Sequence, residues 1–168
     1  MTPPSDHRAQ VAPSIRIAIL TVSDTRTVKD DHSGAAIRRL MTEFRHTVCD
    51  QAIVRDEPSA VQERVSAWCA GGGCDAILIT GGTGLARRDT TIEAVASLFE
   101  KHIDGFGELF RMLSYHEIGA VAMLSRAAAG LRGNTAIFCM PGSTAAVTLA
   151  MEKLILPVLP HLVSLVRE

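Results

Sequence analysis

The chain has 168 residues, 47% of them hydrophobic and 21% charged; this globular composition excludes intrinsic disorder, and the length suits one domain with its own core. With 17 Lys and Arg against 18 Asp and Glu, the formal net charge is −1, which excludes a global attraction to nucleic acid and leaves any anion to a local site. The four cysteines show neither a C-x-x-C pair nor the even spacing of a secreted disulfide framework; Cys69 and Cys74 stand close in "CAGGGC", but no histidine pair completes a zinc set, and reduced structural thiols are expected.

Residues 1–13 are polar, proline-containing and aperiodic, and are expected to be a disordered tail; residues 14–168 are expected to form one domain. The N-terminus has no apolar signal core, and no run of about 18 uninterrupted apolar residues occurs, so a soluble, cytoplasmic protein without a membrane partner is expected. "IRIAILTVS" opens the structure as a strand apolar on both faces, with Ile15, Ile17 and Ile19 alternating with Arg16, Ala18 and Leu20. Ile37, Leu40, Met41 and Phe44 then recur at helical spacing behind a cap at Asp31 or Ser33. "TVCDQAIVRD" is a second strand, and Pro58 starts a helix whose stripe is Val61, Val65, Trp68 and Cys69, ended by the glycines at 71–73. "DAILIT" is a third strand. After the loop that follows it, Ile92, Val95, Ala96 and Phe99 mark a third helix, with Thr90 and Glu93 spaced as a capping box.

Residues 103–127 are less regular and read as two short helices separated near Gly119. "TAIFCMPGS" is a further buried strand of undetermined direction. Val147, Ala150, Met151, Leu154, Ile155 and Val158 form a closing helix that Pro157 and Pro160 limit or kink. This strand–helix alternation predicts an α/β domain, a mainly parallel sheet with helices on both faces. The apolar run "LILPVLPHLVSLV" predicts a subunit interface.

In such a sheet, ligands sit beyond the carboxyl ends of the strands. Three apolar runs end there in small or polar residues: "TVSD", "TGGTG" and "PGS". Gly81, Gly82 and Gly84 open the main-chain N–H groups after Thr80 to an anion, and Thr83 adds a hydroxyl; alone, the same glycines also suit a bare tight turn. Arg87 and Arg88 supply positive charge, while Asp89 supplies the hard oxygen that Mg²⁺ prefers, or else a helix-start charge. Asp56 follows the second strand at the same end of the sheet, where it is equally suited to capping the next helix. Ser23 and Asp24 fit a site or a turn. Glu108, Ser114 and Ser125 fall in the irregular stretch. Neither a P-loop nor a dinucleotide fingerprint is present, and the six histidines lack ligand spacing.

The segments "LTVSDTR", "DDHSG", "LITGGTGLARRDTTIEA", "GFGELFRMLSYHEIG", "SRAAAG" and "FCMPGSTAA" resemble, in order and spacing, the MogA/MoaB molybdopterin-binding family of molybdenum cofactor biosynthesis, with the details around "EIGAVAMLSRAAAG" and "AIVRDEP" closest to the MoaB branch. The resemblance implies a three-layer α/β/α sandwich with a mostly parallel mixed sheet, assembled as a homotrimer or hexamer. It implies Mg²⁺-dependent transfer of AMP from ATP to molybdopterin, giving adenylyl-molybdopterin and pyrophosphate; the alternative is a non-catalytic molybdopterin-binding scaffold of the MoaB branch. By the same resemblance Asp89 and Asp56 are the functional, metal-facing acids, and Gly81, Gly82, Thr83 and Gly84 the phosphate cradle. Ser23, Asp24, Ser114, Pro141, Gly142 and Ser143 surround the pterin crevice. Thr80, Arg87, Arg88, Thr91 and Glu108 complete the candidate set. MoaB-branch members without the activity differ at the first acid and at the arginine pair, whereas this chain keeps Asp56, Arg87 and Arg88. The partners implied are other copies of the chain and other molybdenum cofactor biosynthesis proteins.

Overall fold

The first strand, β1 (Arg16–Val22), occupies the interior of the sheet, pairing in parallel with β2 (Thr47–Val54) on one side and β3 (Ala76–Thr80) on the other. The computed structural model describes residues 14–168, so the tail expected over residues 1–13 lies outside the described residues. β6 (Thr135–Met140) runs parallel to β3, which fixes the direction of that strand. β5 (Ala128–Arg132) and the two-residue β4 (Lys101–His102) complete the far edge antiparallel, giving the order β2-β1-β3-β6-β5-β4. The expected elements did not include β4 or β5.

Side chains alternate across a strand, so a central strand apolar at every position feeds two cores. Ile15, Ile17 and Ile19 belong to one, with α1 (His32–Glu43), α4 (Asp104–Ile118), α5 (Thr144–Ala150) and α6 (Leu156–Arg167) packed over them. Ala18, Leu20 and Val22 belong to the other, beneath α2 (Pro58–Ala70) and α3 (Thr91–Ala96). The result is the three-layer α/β/α arrangement with a mixed, mostly parallel sheet.

Asp31 caps α1, accepting from the Gly34 amide at 3.0 Å, and its other oxygen accepts from Thr21 Oγ1 at 2.6 Å. Phe44 leaves the expected stripe and is 54% exposed, because α1 stops at Glu43 and the chain turns at Arg45 with φ of 61°. Pro58 stands in the first turn of α2, and Val61, Val65 and Trp68 are buried as expected. The capping box on α3 does not form: Thr90 occupies the cap position without a side-chain bond, and the Glu93 carboxylate is drawn to Arg126 instead. α3 ends at Ala96, before Phe99. Residues 103–127 hold one 15-residue helix, α4, rather than two short ones; Gly119, at φ of 66°, breaks it into a 3₁₀ turn over Gly119–Leu124.

The closing helix runs through both prolines to Arg167. A π turn over Met151–Ile155 resets the register, placing Pro157 in the first turn of α6, where its missing N–H is least costly, while Pro160 sits inside the helix. By length and composition Thr144–Arg167 could cross a membrane, but Val147, Ala150, Met151, Ile155, Leu159 and Val163 bury their side chains in the domain core.

Candidate active site

Because β1, β2, β3 and β6 are parallel, the loops leaving their carboxyl ends share one edge of the sheet. They enclose, with the segment before β5, a cleft of about 550 Å³. The loop after β3 is its floor. Thr80 donates its hydroxyl to the Pro141 carbonyl at 3.1 Å, and the Gly81 amide donates to Met140 O at 3.2 Å, so the ends of β3 and β6 are stitched together beneath it. Gly81 has φ of 98°, and a Cβ there would collide with the Val22 carbonyl. Gly82, at φ of 64°, faces Asp56: a Cβ would lie 2.9 Å from both carboxylate oxygens and would strike Thr91 Oγ1. The chain can pass here only as glycine. Thr83 is buried beside them.

Asp56 does not cap α2; Glu57 holds that position, and the Asp56 side chain lines the cleft instead. Its Oδ1 is buried without a hydrogen-bond partner, as is Thr91 Oγ1. Burial, the charge of Asp89 and that of Asp24 push the Asp56 carboxyl above the usual range, with the Thr90 main chain and Arg88 pulling the other way. Asp89 also lines the cleft, and its Oδ2 accepts from the Ala86 amide at 3.0 Å, which bends the loop back on itself. Gly84 makes room for it, since a Cβ there would lie 2.5 Å from that oxygen.

Ser23 serves partly as a turn: its Oγ accepts from the amides of Thr25 and Arg26 at 3.3 and 3.1 Å, while the residue lines the cleft. Asp24, also in the lining, accepts from the Asp56 amide at 3.2 Å and holds Arg88 at 2.7 Å. Arg88 thus sits outside the lining, bound to Asp24 and, at 3.6 Å, to Glu57. Arg87 is exposed and also outside it. Pro141 and Gly142 close the side after β6, whereas Ser143 turns away to cap α5, accepting from the Ala146 amide at 3.1 Å. Two candidates on α4 stand apart from the cleft: Ser114 is buried in the helix's packed face, and Glu108 is exposed beside a separate cavity with His102 and Arg111.

Two arginines assigned no role from sequence line the cleft. Arg26 donates to Ser33 Oγ at 2.7 Å and to Gly142 O at 2.8 Å, joining the loop after β1 to the loop after β6. Arg126 donates to the carbonyls of Thr83, Gly84 and Asp89 at 2.9, 2.8 and 3.0 Å and pairs with Glu93. Both stand in the motif segments "LTVSDTR" and "SRAAAG", where an arginine alone does not reveal the carbonyls it will hold.

Can this cleft take Mg²⁺? Among the described residues no group of three or more His, Cys, Asp or Glu side chains forms a cage. Mg²⁺ commonly uses one or two carboxylates and completes its shell with water and substrate phosphate. Asp56 and Asp89 supply that pair, and the Asp56 Oδ1, a buried hard oxygen with no hydrogen-bond partner, is available to a cation. The donor set fits. The cysteines do not offer an alternative centre: Cys74 and Cys139 are buried, and Cys49 Sγ approaches Cys74 Sγ at 3.1 Å away from the cleft.

Residues 18–161 match the family model described as "Probable molybdopterin binding domain". The chain is 48% identical over 164 residues to the Molybdenum cofactor biosynthesis protein B of Bacillus subtilis (strain 168), covering 97% of this chain and 96% of that one. A crystal structure of a Molybdenum cofactor biosynthesis protein B superposes with a TM-score of 0.92 at 48% identity, covering 94% of this chain and 99% of the other. The tungsten cofactor synthesizing protein MoaB from Pyrococcus furiosus superposes with a TM-score of 0.83 at 34% identity, covering 92% and 98%.

Proposed function

This chain belongs to the MogA/MoaB family of molybdopterin-binding proteins of molybdenum cofactor biosynthesis, and from that premise we propose that it transfers AMP from ATP to molybdopterin, releasing pyrophosphate. The observation that carries the reading is the convergence of Asp56, Asp89 and the Gly81–Gly84 loop on one cleft.

In the reaction an oxygen of the pterin's terminal phosphate bonds to the α-phosphorus of ATP as the bond from that phosphorus to the β-phosphate bridge oxygen breaks, and pyrophosphate departs. No covalent enzyme intermediate is required, so the protein's work is positioning and neutralisation of charge. The glycine loop brings its main chain against the Asp56 carboxylate and Thr91 Oγ1, because Gly82 leaves no Cβ between them, and so seats that acid at the floor of the cleft. Arg26 and Arg126 bring positive charge to the cleft wall. Asp56 and Asp89 would hold Mg²⁺, which when bound offsets the negative charge of the triphosphate. Pro141 and Gly142 line the side of the cleft after β6, against which the pterin would lie.

Incubation of the purified protein with ATP, Mg²⁺ and molybdopterin should release pyrophosphate. Asp89→Asn should lower that rate about a hundredfold or more with little change in melting temperature, since an asparagine oxygen can keep the bond to the Ala86 amide. Retained activity in the variant would count against the role of Asp89. A second reading, a pterin-binding scaffold without transfer, is favoured by the engagement of Arg88 with Asp24 and Glu57 outside the cleft lining; pterin binding by the wild-type protein without pyrophosphate release would establish it.

A further inference from the structure

We propose that Arg126 is the positioning residue of the cleft, holding the loop after β3 and the main chain of Asp89 in the one arrangement that presents the Asp89 carboxylate to the ligand. The inference rests on the phosphate-transfer reading above and extends it to a residue outside the glycine motif. Arg126 Nε donates to Thr83 O at 2.9 Å, and Nη2 donates to Gly84 O at 2.8 Å and to Asp89 O at 3.0 Å. Those carbonyls lie at the start and the end of the loop, so one planar guanidinium pins both ends of the segment that carries the acid. Inside that segment the Asp89 amide donates to Ala86 O at 2.9 Å and the Ala86 amide to Asp89 Oδ2 at 3.0 Å. The loop is thereby a closed ring, tied outward on its main chain by Arg126 and through a side chain by the pair of Arg88 with Asp24.

The anchor is itself anchored. Glu93, in the first turn of α3, pairs with the same guanidinium, and Arg126 in turn holds the Glu93 carboxyl below its usual range. This explains why the Thr90–Glu93 capping box does not form: the carboxylate expected to reach back to the helix start is used on Arg126. A lysine cannot substitute, because its single ammonium lacks the rigid fork needed to reach three carbonyls and a carboxylate together.

The test compares Arg126→Lys with the wild-type full chain by amide hydrogen exchange and by ATP-dependent pyrophosphate release. Expected are a native circular dichroism spectrum, exchange of the Ala86, Asp89 and Thr91 amides faster by about tenfold or more, and kcat lower by about a hundredfold with KM for ATP changed less than about threefold. Unchanged exchange at those amides overturns the proposal. So does a rise in KM with kcat retained, which would make Arg126 a direct phosphate contact. A loss of activity that merely tracks a fall in melting temperature overturns it as well. If the wild-type chain releases no pyrophosphate, the function reading fails while the exchange result still decides the loop assignment. Should Arg126→Lys not fold, Glu93→Gln supplies the same comparison, with a smaller change of the same pattern expected and an unchanged pattern counting against it.

Discussion

Asp56 carries a charge that its surroundings resist: burial and the neighbouring Asp89 and Asp24 raise its carboxyl above the ordinary value. A carboxyl raised in the folded state holds its proton after the unfolded chain has released it, so stability falls as pH rises through the window between the ordinary and the raised values. Above that window the ionised group opposes folding. Asp56→Asn should therefore melt at a higher temperature than wild type at pH 7, with the gain vanishing as pH drops into the ordinary carboxylate range; thermal melts across pH 4–8 check this, and a lower melting temperature at neutral pH would refute it. Mg²⁺ should raise the melting temperature of the wild type and not of the variant. The same position shows why part of the site was legible in sequence. An acid just after a strand, and a glycine loop just after the next one, are brought together by parallel pairing alone. Arg126 was not legible, because it acts on Asp89 from 37 residues away through carbonyls that carry no side-chain signature.

At the scale of elements, strong apolar periodicity carried the reading and small residues defeated it. β1, β3 and β6 are buried at nearly every position and announced themselves as continuous apolar runs. β5, "AAGLR", has alanine and glycine where strands usually show branched or aromatic side chains, and its hairpin partner follows a Gly133–Asn134 turn that passed unnoticed. The reason for small residues is a close approach. A Cβ at Gly130 would collide with the Phe99 ring and lie 2.7 Å from Lys101 O, so the glycine lets the short β4 edge and the end of the α3 segment lie against β5. Gly130→Ala should destabilise the domain by about 1–3 kcal/mol as an overpacked site, lowering the melting temperature by roughly 3–10 °C. Calorimetry measures this, and a melting temperature within about 1 °C of wild type would show that the β4 edge yields freely.

Over the whole molecule, exposed apolar surface lies on the C-terminal run and also beyond it. Ile155, Leu156, Leu159 and Val163 of that run are buried in the chain's own core, although Val158 and Leu165 remain about half exposed. The larger exposed patch belongs to α4 and the 3₁₀ turn after it, where Met112 is 51%, Tyr115 59%, Val121 62% and Met123 77% exposed. Exposed apolar patches of this kind on a soluble domain mark contact surfaces, and the assembly we propose is of the chain with its own copies, a trimer or hexamer. Light scattering at micromolar concentration should give such a multiple of the 18.0 kDa chain mass, and Met112→Glu combined with Met123→Glu should shift it toward one chain. A monomeric wild-type mass would remove the proposal. The patch also bears on chemistry: the 3₁₀ turn ends at Leu124, and Leu124, Ser125 and Arg126 run directly from it into the cleft wall. A turn ordered by a neighbouring copy would hold Arg126 in place, so the charge-substituted variant should lose kcat for pyrophosphate release together with its assembly, with KM for ATP little changed. Steady-state kinetics on both forms separates the cases, since an unchanged kcat in the monomeric variant would show that each chain builds its cleft alone.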